Sequence, residues 1–200
     1  MMTGGKTDDR LFFLEPQTLT LEPLPAEGWI LDVGGGGEGV IGQLMGHSVV
    51  SIDKHVSELE EALEASGDAG GTLRIEMDAR DLKFLDESFD DAAFFFSLMY
   101  MQDEVQRAAL REVHRVLKPG GGLWVWDFEF PARGIHRQPI AVYPLVVHLQ
   151  DRTIETGYGT RWPIRERNEA TYATLLRTCG YKIVETAKTG TILYFRCEKM

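Results

Sequence analysis

A run of glycines separates a short apolar segment from an amphipathic one near residue 35. The segment WILDVGGGGEGVIGQLM, residues 29–45, carries five glycines within six positions, at Gly34–Gly37 and Gly39. Glycine has no Cβ, so the chain can turn sharply there and its backbone can approach a bound molecule closely. A helix that begins near Glu38 would direct its free N–H groups at that molecule. We therefore predict a buried strand, a ligand-binding turn and a helix, although a tight turn of purely structural function is the alternative.

Length and composition favour a single domain with a substantial core. The chain has 200 residues, of which 44% are hydrophobic, and its net charge is −10. This charge argues against broad attraction to nucleic acid or to an anionic membrane surface. Cys179 and Cys197 form neither a disulfide framework nor a metal-binding spacing. No apolar stretch is long enough to span a membrane, and the first residues lack the core of a signal peptide. We expect a cytoplasmic protein without a metal site.

Apolar runs alternate with amphipathic segments from Trp29 to Asp127. Strands are predicted at 30–33, 48–52, 72–77, 90–96 and 123–127, with helices at 56–65 and 103–117. Asp103 could cap the later helix with Gln106 reciprocating, and the Lys118–Gly120 segment would end it. Such alternation indicates a parallel sheet with helices on both faces. Right-handed crossovers then place ligands at the carboxyl ends of the strands.

The last third of the sequence has a different pattern. Residues 129–167 contain four prolines, several aromatic residues and no clean helical period. The runs 142–150 and 153–158 could form a hairpin. A helix near 168–178 and an antiparallel pair, 181–186 with 191–197, follow. We predict that residues 129–167 form a lid or wall of an acceptor pocket, with a dimerisation arm or a surface hairpin as equal alternatives.

The glycine run fits two cofactor classes when it is taken alone. Gly34-x-Gly36-x-x-Gly39, with Asp53 19 residues after Gly34, satisfies the dinucleotide fingerprint of an NAD-dependent oxidoreductase. However, Asp32, the block MDARDLKFLDESFDDAAFFFSLMYM and the block LREVHRVLKPGGGLWVWD follow one another in the chain. In this order they resemble the class I S-adenosylmethionine-dependent methyltransferases. The resemblance covers residues 29–127 and the terminal hairpin. The GGGGEG loop and the ETGYG segment at 155–159 also resemble those of small prokaryotic methyltransferases without an assigned substrate.

The resemblance implies a fold and a domain organisation. The implied fold is α/β and Rossmann-like: a doubly wound, seven-stranded, mostly parallel sheet of order 3-2-1-4-5-7-6, with strand 7 antiparallel and helices on both faces. One methyltransferase domain would occupy residues 1–200, with 1–28 as an N-terminal extension and 129–167 as an inserted segment. Phe12 to Leu14, within the extension, would dock on the core or cover the cofactor.

The resemblance also implies S-adenosylmethionine as the cofactor and assigns binding roles. Asp32 and the glycine backbone would face its methionyl part, and Asp53 would accept both ribose hydroxyls. Asp78 and Ala79 would contact the adenine edge, while Ser97 and Leu98 would border the sulfonium. The matching positions are Asp32, Gly34, Gly35, Gly36, Asp53, Lys54, Asp78, Ala79, Ser97 and Leu98. Glu38 departs from the family pattern, because it replaces the last glycine. Either the loop is one residue longer, or Gly35, Gly37 and Gly39 are the binding glycines.

Methyl transfer from a sulfonium depends mainly on alignment, and the sequence has no conspicuous catalytic motif. Tyr100 and Asp127 are candidate general bases by position, with packing and capping as their alternatives. His148, Tyr143 and Trp162, within 129–167, are candidate acceptor-binding residues. The acceptor is predicted to be a small molecule, and a homodimer is compatible with the arm alternative. The competing functions are a non-catalytic subunit that binds S-adenosylmethionine or S-adenosylhomocysteine, and an NAD-dependent oxidoreductase.

Overall fold

The computed structural model describes residues 8–67, 71–131, 137–162 and 166–200. Parts of the predicted N-terminal extension and inserted segment, residues 1–7, 132–136 and 163–165, lie outside the described residues. The strands are β1 (Leu11–Phe13), β2 (Gln17–Thr20), β3 (Ile30–Val33), β4 (Val49–Asp53), β5 (Thr72–Glu76), β6 (Phe89–Phe95), β7 (Leu117–Phe128), β8 (Ile140–His148), β9 (Thr153–Arg161), β10 (Tyr181–Thr189) and β11 (Ile192–Lys199). The helices are α1 (Val40–Met45), α2 (Val56–Ser66), α3 (Asp103–Val116) and α4 (Glu169–Thr178), with a 3₁₀ turn at Leu98–Tyr100. Within the described ranges, none of the helices is both long and apolar enough to cross a membrane.

A seven-stranded sheet forms the centre of the molecule, in the order β5-β4-β3-β6-β7-β11-β10. Neighbouring strands from β5 to β7 run parallel, whereas β11 runs antiparallel to both β7 and β10. Parallel strands of this kind are expected to be covered on both faces. The predicted α/β, Rossmann-like class with a mostly parallel sheet is confirmed.

Alternating side chains of the central strands enter two separate cores. In β6, Phe94 packs in one core with α3 and α4, whereas Ala93 and Phe95 pack in the other. The buried face of α3 carries apolar residues at helical spacing, including Leu110 and Val113. The second core receives α1 and the buried residues of β8. The face above β3 and β6 is therefore covered partly by another sheet.

The second sheet is formed by strands from the predicted N-terminal extension and from the predicted inserted segment. β1 and β2 pair in parallel with successive halves of β8, and β9 pairs antiparallel with the opposite edge of β8. The β8–β9 hairpin agrees with the predicted one, whereas the pairing of residues 11–20 with β8 was not predicted. These two strands are short and partly exposed, so they carry no strong periodic signal.

Local features at two helix starts differ from the sequence expectation. The N-cap of α3 is Gln102 without a side-chain cap, and Asp103 is already helical, so the predicted capping box is wrong. Gln106 is buried, and its amide donates instead to the Leu98 carbonyl at 2.9 Å. Similarly, α1 begins at Val40 rather than near Glu38. The segment Lys118–Gly120, expected to end a helix, already belongs to β7.

Candidate active site

A cavity of about 840 Å³ opens at the carboxyl ends of β3, β4, β5 and β6. This is the edge where parallel α/β sheets bind their ligands. Nine of the predicted cofactor positions line it: Asp32, Gly34, Gly35, Gly36, Asp53, Lys54, Asp78, Ala79 and Ser97. Leu98 is not among the lining residues, because its side chain is fully buried in the core. The structure thus brings together residues that are up to 65 positions apart in the chain, from Asp32 to Ser97.

Close packing explains the glycines of the turn. A Cβ atom on Gly35 would overlap the Asp32 carboxylate, and one on Gly34 would lie 2.5 Å from the Ser97 Cβ. Gly34 also has a φ of +74°, a conformation that other residues adopt only with strain. Gly37 lines the cavity as well, whereas Gly39 forms the N-cap of α1 and faces Ala62 on α2. The four consecutive glycines are therefore the ones that face the cavity.

Asp32 is a buried carboxylate with an incomplete set of partners. Its Oδ2 accepts a hydrogen bond of 3.0 Å from the Ser51 hydroxyl, but its Oδ1 has no partner among the described residues. Burial raises the pKa of Asp32 to about 7. An unpaired buried charge is costly unless a ligand completes it. The site therefore fits a ligand that presents a cationic hydrogen-bond donor next to the glycine turn.

The other two predicted acids lie at the ends of neighbouring strands. The Asp53 Oδ1 accepts from the backbone N–H of His55 at 2.9 Å. Asp78 follows β5, and the Arg80 guanidinium contacts both of its oxygens, with the shortest distance 2.6 Å. The hydrogen bonds from Arg80 lower the pKa of Asp78 to about 2, so this carboxyl remains ionised at neutral pH. Both acids border the same cavity as Asp32.

The two predicted general bases have different surroundings. Tyr100 lines the cavity with 53% of its surface exposed, and partial desolvation of its hydroxyl raises the pKa of the phenol above its ordinary value. A phenol that keeps its proton at neutral pH can donate a hydrogen bond but is a poor base. Asp127 is fully buried outside the cavity lining, and its Oδ1 accepts from the Phe128 N–H at 2.8 Å. Burial raises its pKa to about 7. The geometry gives Asp127 no route to a bound acceptor.

The three predicted acceptor-binding residues do not line the cavity. Tyr143 is buried between the sheets, where its ring stacks on Phe128 at 4.2 Å. His148 pairs with the Thr153 hydroxyl at 2.9 Å. The Trp162 indole donates to the Gln138 carbonyl at 3.0 Å. Their acceptor-binding roles remain predictions that this geometry does not support.

From the predicted inserted segment, residues of β9 line the cavity instead. These residues are Thr156, Gly157, Tyr158 and Gly159. The Thr156 hydroxyl donates a short hydrogen bond to the Glu38 carboxylate, which joins the turn to the second sheet. The centroid of the Tyr158 ring lies 5.0 Å from the centroid of the Phe96 ring. The alternating pattern of TIETGYGT was the signal available in the sequence, but it does not indicate which edge of the strand meets the cavity. Across the described ranges, no cluster of three or more His, Cys, Asp or Glu is arranged to hold a metal ion.

Comparison with known proteins shows which domain the central part of the chain resembles. Residues 31–125 match the family model described as a methyltransferase domain. The chain is 36% identical over 104 residues to the O-methyltransferase rstn1 of Aspergillus nomiae. The matched region covers 49% of this chain and 45% of that protein. It is also 36% identical over 122 residues to the ubiquinone/menaquinone biosynthesis C-methyltransferase UbiE of Hahella chejuensis, covering 57% and 48%. The chain thus spans about half the length of these curated relatives.

The fold extends the similarity beyond the matched region. A crystal structure of a SAM-dependent methyltransferase from Methanosarcina mazei superposes with a TM-score of 0.64 at 19% identity, covering 90% of this chain and 99% of that one. The match over residues 31–125 agrees with the predicted class I S-adenosylmethionine-dependent methyltransferase domain, and the similarity to this crystal structure is one of fold. S-adenosylmethionine, the predicted cofactor, is the cofactor of this class.

Proposed function

We propose that the protein transfers a methyl group from S-adenosylmethionine to a small-molecule acceptor. The observation that carries the proposal is the buried Asp32 carboxylate, whose Oδ1 lacks a partner among the described residues. It faces a turn in which a side chain at Gly35 would clash, and it shares one cavity with Asp53 and Asp78. A zwitterionic nucleoside with an ammonium group matches this arrangement of charge and space.

Named residues would hold each part of the cofactor. Asp32 would pair with the ammonium of the methionyl part. The N–H groups of Gly34, Gly35 and Gly37 already donate to backbone carbonyls, so the Gly36 N–H is the glycine amide that would approach the methionyl carboxylate. Asp53 would accept from the ribose hydroxyls, and Asp78 with Ala79 would contact the adenine edge. When bound, S-adenosylmethionine supplies an activated methyl group for in-line displacement by the acceptor.

The protein's own contribution is alignment and exclusion of water. Correct orientation of two reactants can supply about 7–11 kcal/mol of the barrier reduction. Phe95, Phe96 and Tyr158 give the cavity an apolar wall that limits water access. Tyr100 keeps its proton and can hold an acceptor oxygen or nitrogen by donating a hydrogen bond. A nucleophile that is already deprotonated, or an unprotonated amine that releases its proton to solvent after methylation, needs no base from the protein.

The size of the cavity supports a small acceptor. A volume of about 840 Å³ is within the range of small-molecule pockets and must hold both reactants. The relatives named above are O- and C-methyltransferases by name, so both atom types are candidates for methylation. The net charge of −10 also disfavours a nucleic acid acceptor.

Calorimetric binding and a labelled-methyl assay test the proposal. We expect S-adenosylmethionine and S-adenosylhomocysteine to bind the purified chain, and NAD not to bind. Transfer of labelled methyl to a compound in an acceptor panel would establish catalysis. Binding without transfer to any compound would favour the non-catalytic subunit, whereas preference for NAD would favour the oxidoreductase.

A further inference from the structure

The strand β9 presents an unpaired backbone edge to the cavity. Among the described strands, β9 pairs with β8 alone, so its second edge has no strand partner. Gly157 and Gly159 of this strand line the cavity. Exposed strand edges carry free N–H and C=O groups that can bind a complementary molecule. This edge therefore adds backbone hydrogen-bonding groups to a wall otherwise formed by side chains.

The pairing of β8 shows which groups of β9 are free. The Leu14 N–H donates to the Val142 carbonyl at 2.9 Å, so Val142 directs its backbone groups towards β1. Alternate residues of a strand point the same way, and Pro144 therefore does so too. Val142 lies opposite Gly159 and Pro144 lies opposite Gly157. These are non-hydrogen-bonded pairs, so both glycines direct their N–H and C=O groups away from β8.

The two glycines are not equivalent. Gly157 directly follows Thr156, whose hydroxyl contacts Glu38 of the glycine turn, whereas Gly159 lies two residues further along the strand. No hydrogen bond to the N–H or C=O of Gly157 is found within the described part of the chain. Gly157 also has no side chain that would hinder a ligand on either face of the strand. The free donor and acceptor at Gly157 are therefore accessible and adjacent.

The neighbouring side chains restrict the charge of what binds there. Glu38 and Tyr158 flank this part of the wall, and Thr156 contacts Glu38. The cationic residues of the lining, Lys54 and Arg80, follow β4 and β5, whereas Tyr158 contacts Phe96 after β6, on the other side of β3 in the sheet. A carboxylate or phosphate group would meet the Glu38 charge without a compensating cation. A neutral polar group is compatible with this wall.

We propose that the methyl acceptor carries an adjacent hydrogen-bond donor and acceptor, as in a lactam or an N-heteroaromatic ring, and pairs with the N–H and C=O of Gly157. This proposal rests on the proposed methyltransferase function and names the substrate class of the same site. The acceptor would extend the β8–β9 edge as a short extra strand does.

A matched pair of probes tests this inference on the unmodified full chain saturated with S-adenosylhomocysteine. The probe 2-pyridone has adjacent N–H and C=O groups, whereas N-methyl-2-pyridone lacks the donor. Ligand-observed NMR titrations should give an affinity about fivefold to tenfold lower for the methylated probe, the effect of one lost hydrogen bond. Equal affinities, or no binding of 2-pyridone, would overturn the inference.

Two proline variants locate the interaction. Gly157→Pro removes the proposed donor, and Glu155→Pro removes an N–H with the same orientation outside the cavity lining. We expect the first to lower 2-pyridone affinity about fivefold or more and the second to leave it unchanged. If both variants bind 2-pyridone like the original chain, the edge is not the binding element. If S-adenosylhomocysteine itself fails to bind, the proposed function fails as well, whereas its binding without probe discrimination rejects only this inference.

Discussion

At the residue scale, Asp32 is the most informative side chain of the site. It is buried beside the glycine turn, its Oδ1 is unpaired within the described residues, and burial raises its pKa to about 7. These properties are unfavourable for the folded chain alone, because a partly satisfied buried carboxylate contributes little to stability. They become favourable when a cationic ligand binds.

Replacing Asp32 with Asn should weaken S-adenosylhomocysteine binding about tenfold to a hundredfold, since a charge-assisted hydrogen bond contributes about 1.5–3 kcal/mol. Isothermal titration calorimetry measures the change. Asp91→Asn is the matched control, because Asp91 is also buried and accepts from the Gly122 N–H but lies outside the cavity lining. An unchanged affinity for Asp32→Asn would contradict the assignment of Asp32 to the ammonium group.

The affinity should also depend on pH. Burial raises the pKa of Asp32 to about 7, so below this pH the carboxyl is mostly protonated and cannot pair with a cation. We expect affinity for S-adenosylhomocysteine to increase from pH 5.5 towards 7 and then to level off. Asp78, with its pKa lowered to about 2 by Arg80, does not titrate in this range. Titrations of Asp32→Asn should give a flat profile, and a slope that persists in this variant would assign the dependence to another group.

Much of the residue-scale site could be predicted, because acids at the ends of neighbouring strands follow from chain order alone. Asp32, Asp53 and Asp78 line the cavity for that reason. The acceptor wall could not be predicted in the same way. Aromatic character suggested Tyr143, but alternation in β8 directs it into the core. Which edge of β9 meets the cavity depends on tertiary packing.

At the element scale, Arg167 connects the second half of the chain to the segment after β6. Its backbone pairs with Phe130, and its guanidinium donates to the carbonyls of Met99 at 3.2 Å and Met101 at 2.9 Å. These carbonyls flank Tyr100, which lines the cavity. The side chain of Arg167 is only 15% exposed. One guanidinium therefore holds the turn from which Tyr100 projects.

Arg167→Met should lower the free energy of unfolding by about 1.5–3 kcal/mol, because it leaves buried carbonyls without donors. Urea denaturation measures this loss. Arg167→Lys should recover part of it, since an ammonium donates fewer hydrogen bonds than a guanidinium. The exposed Arg111 on α3 is the control position, and Arg111→Met should change stability by less than about 0.5 kcal/mol. Equal stability of the Arg167→Met and Arg111→Met variants would contradict the role of Arg167 in holding the turn that carries Tyr100.

At the scale of the whole molecule, the second sheet packs into one of the two cores of the central sheet. The stacked rings of Phe96, Phe128 and Tyr143, with centroids 4.4 and 4.2 Å apart, connect the end of β6 through β7 to β8. The central sheet could be predicted because its strands alternate with helices along the chain. The second sheet could not, because β1 and β2 pair with β8 more than 120 residues away and nothing local encodes that contact.

Tyr143 tests whether this stack is structural. Tyr143→Ala should destabilise the protein by about 3–5 kcal/mol, the usual effect of truncating a buried aromatic side chain. Tyr143→Phe keeps the ring and loses only the hydrogen bond to the Glu129 carbonyl, so we expect a loss of about 1 kcal/mol. Thermal and urea unfolding provide the comparison. A Tyr143→Phe variant with normal stability but a strongly raised KM for an acceptor would restore the predicted role of Tyr143 in acceptor binding.

The contact between Thr156 and Glu38 has a kinetic consequence. Glu38 belongs to the turn that would receive the donor, and Thr156 belongs to the strand that would receive the acceptor. Binding of the methyl donor at the turn would therefore change the position of the strand that binds the acceptor. This contact favours a compulsory-order mechanism, in which the nucleoside binds first and dissociates last. Product-inhibition patterns would reveal this order.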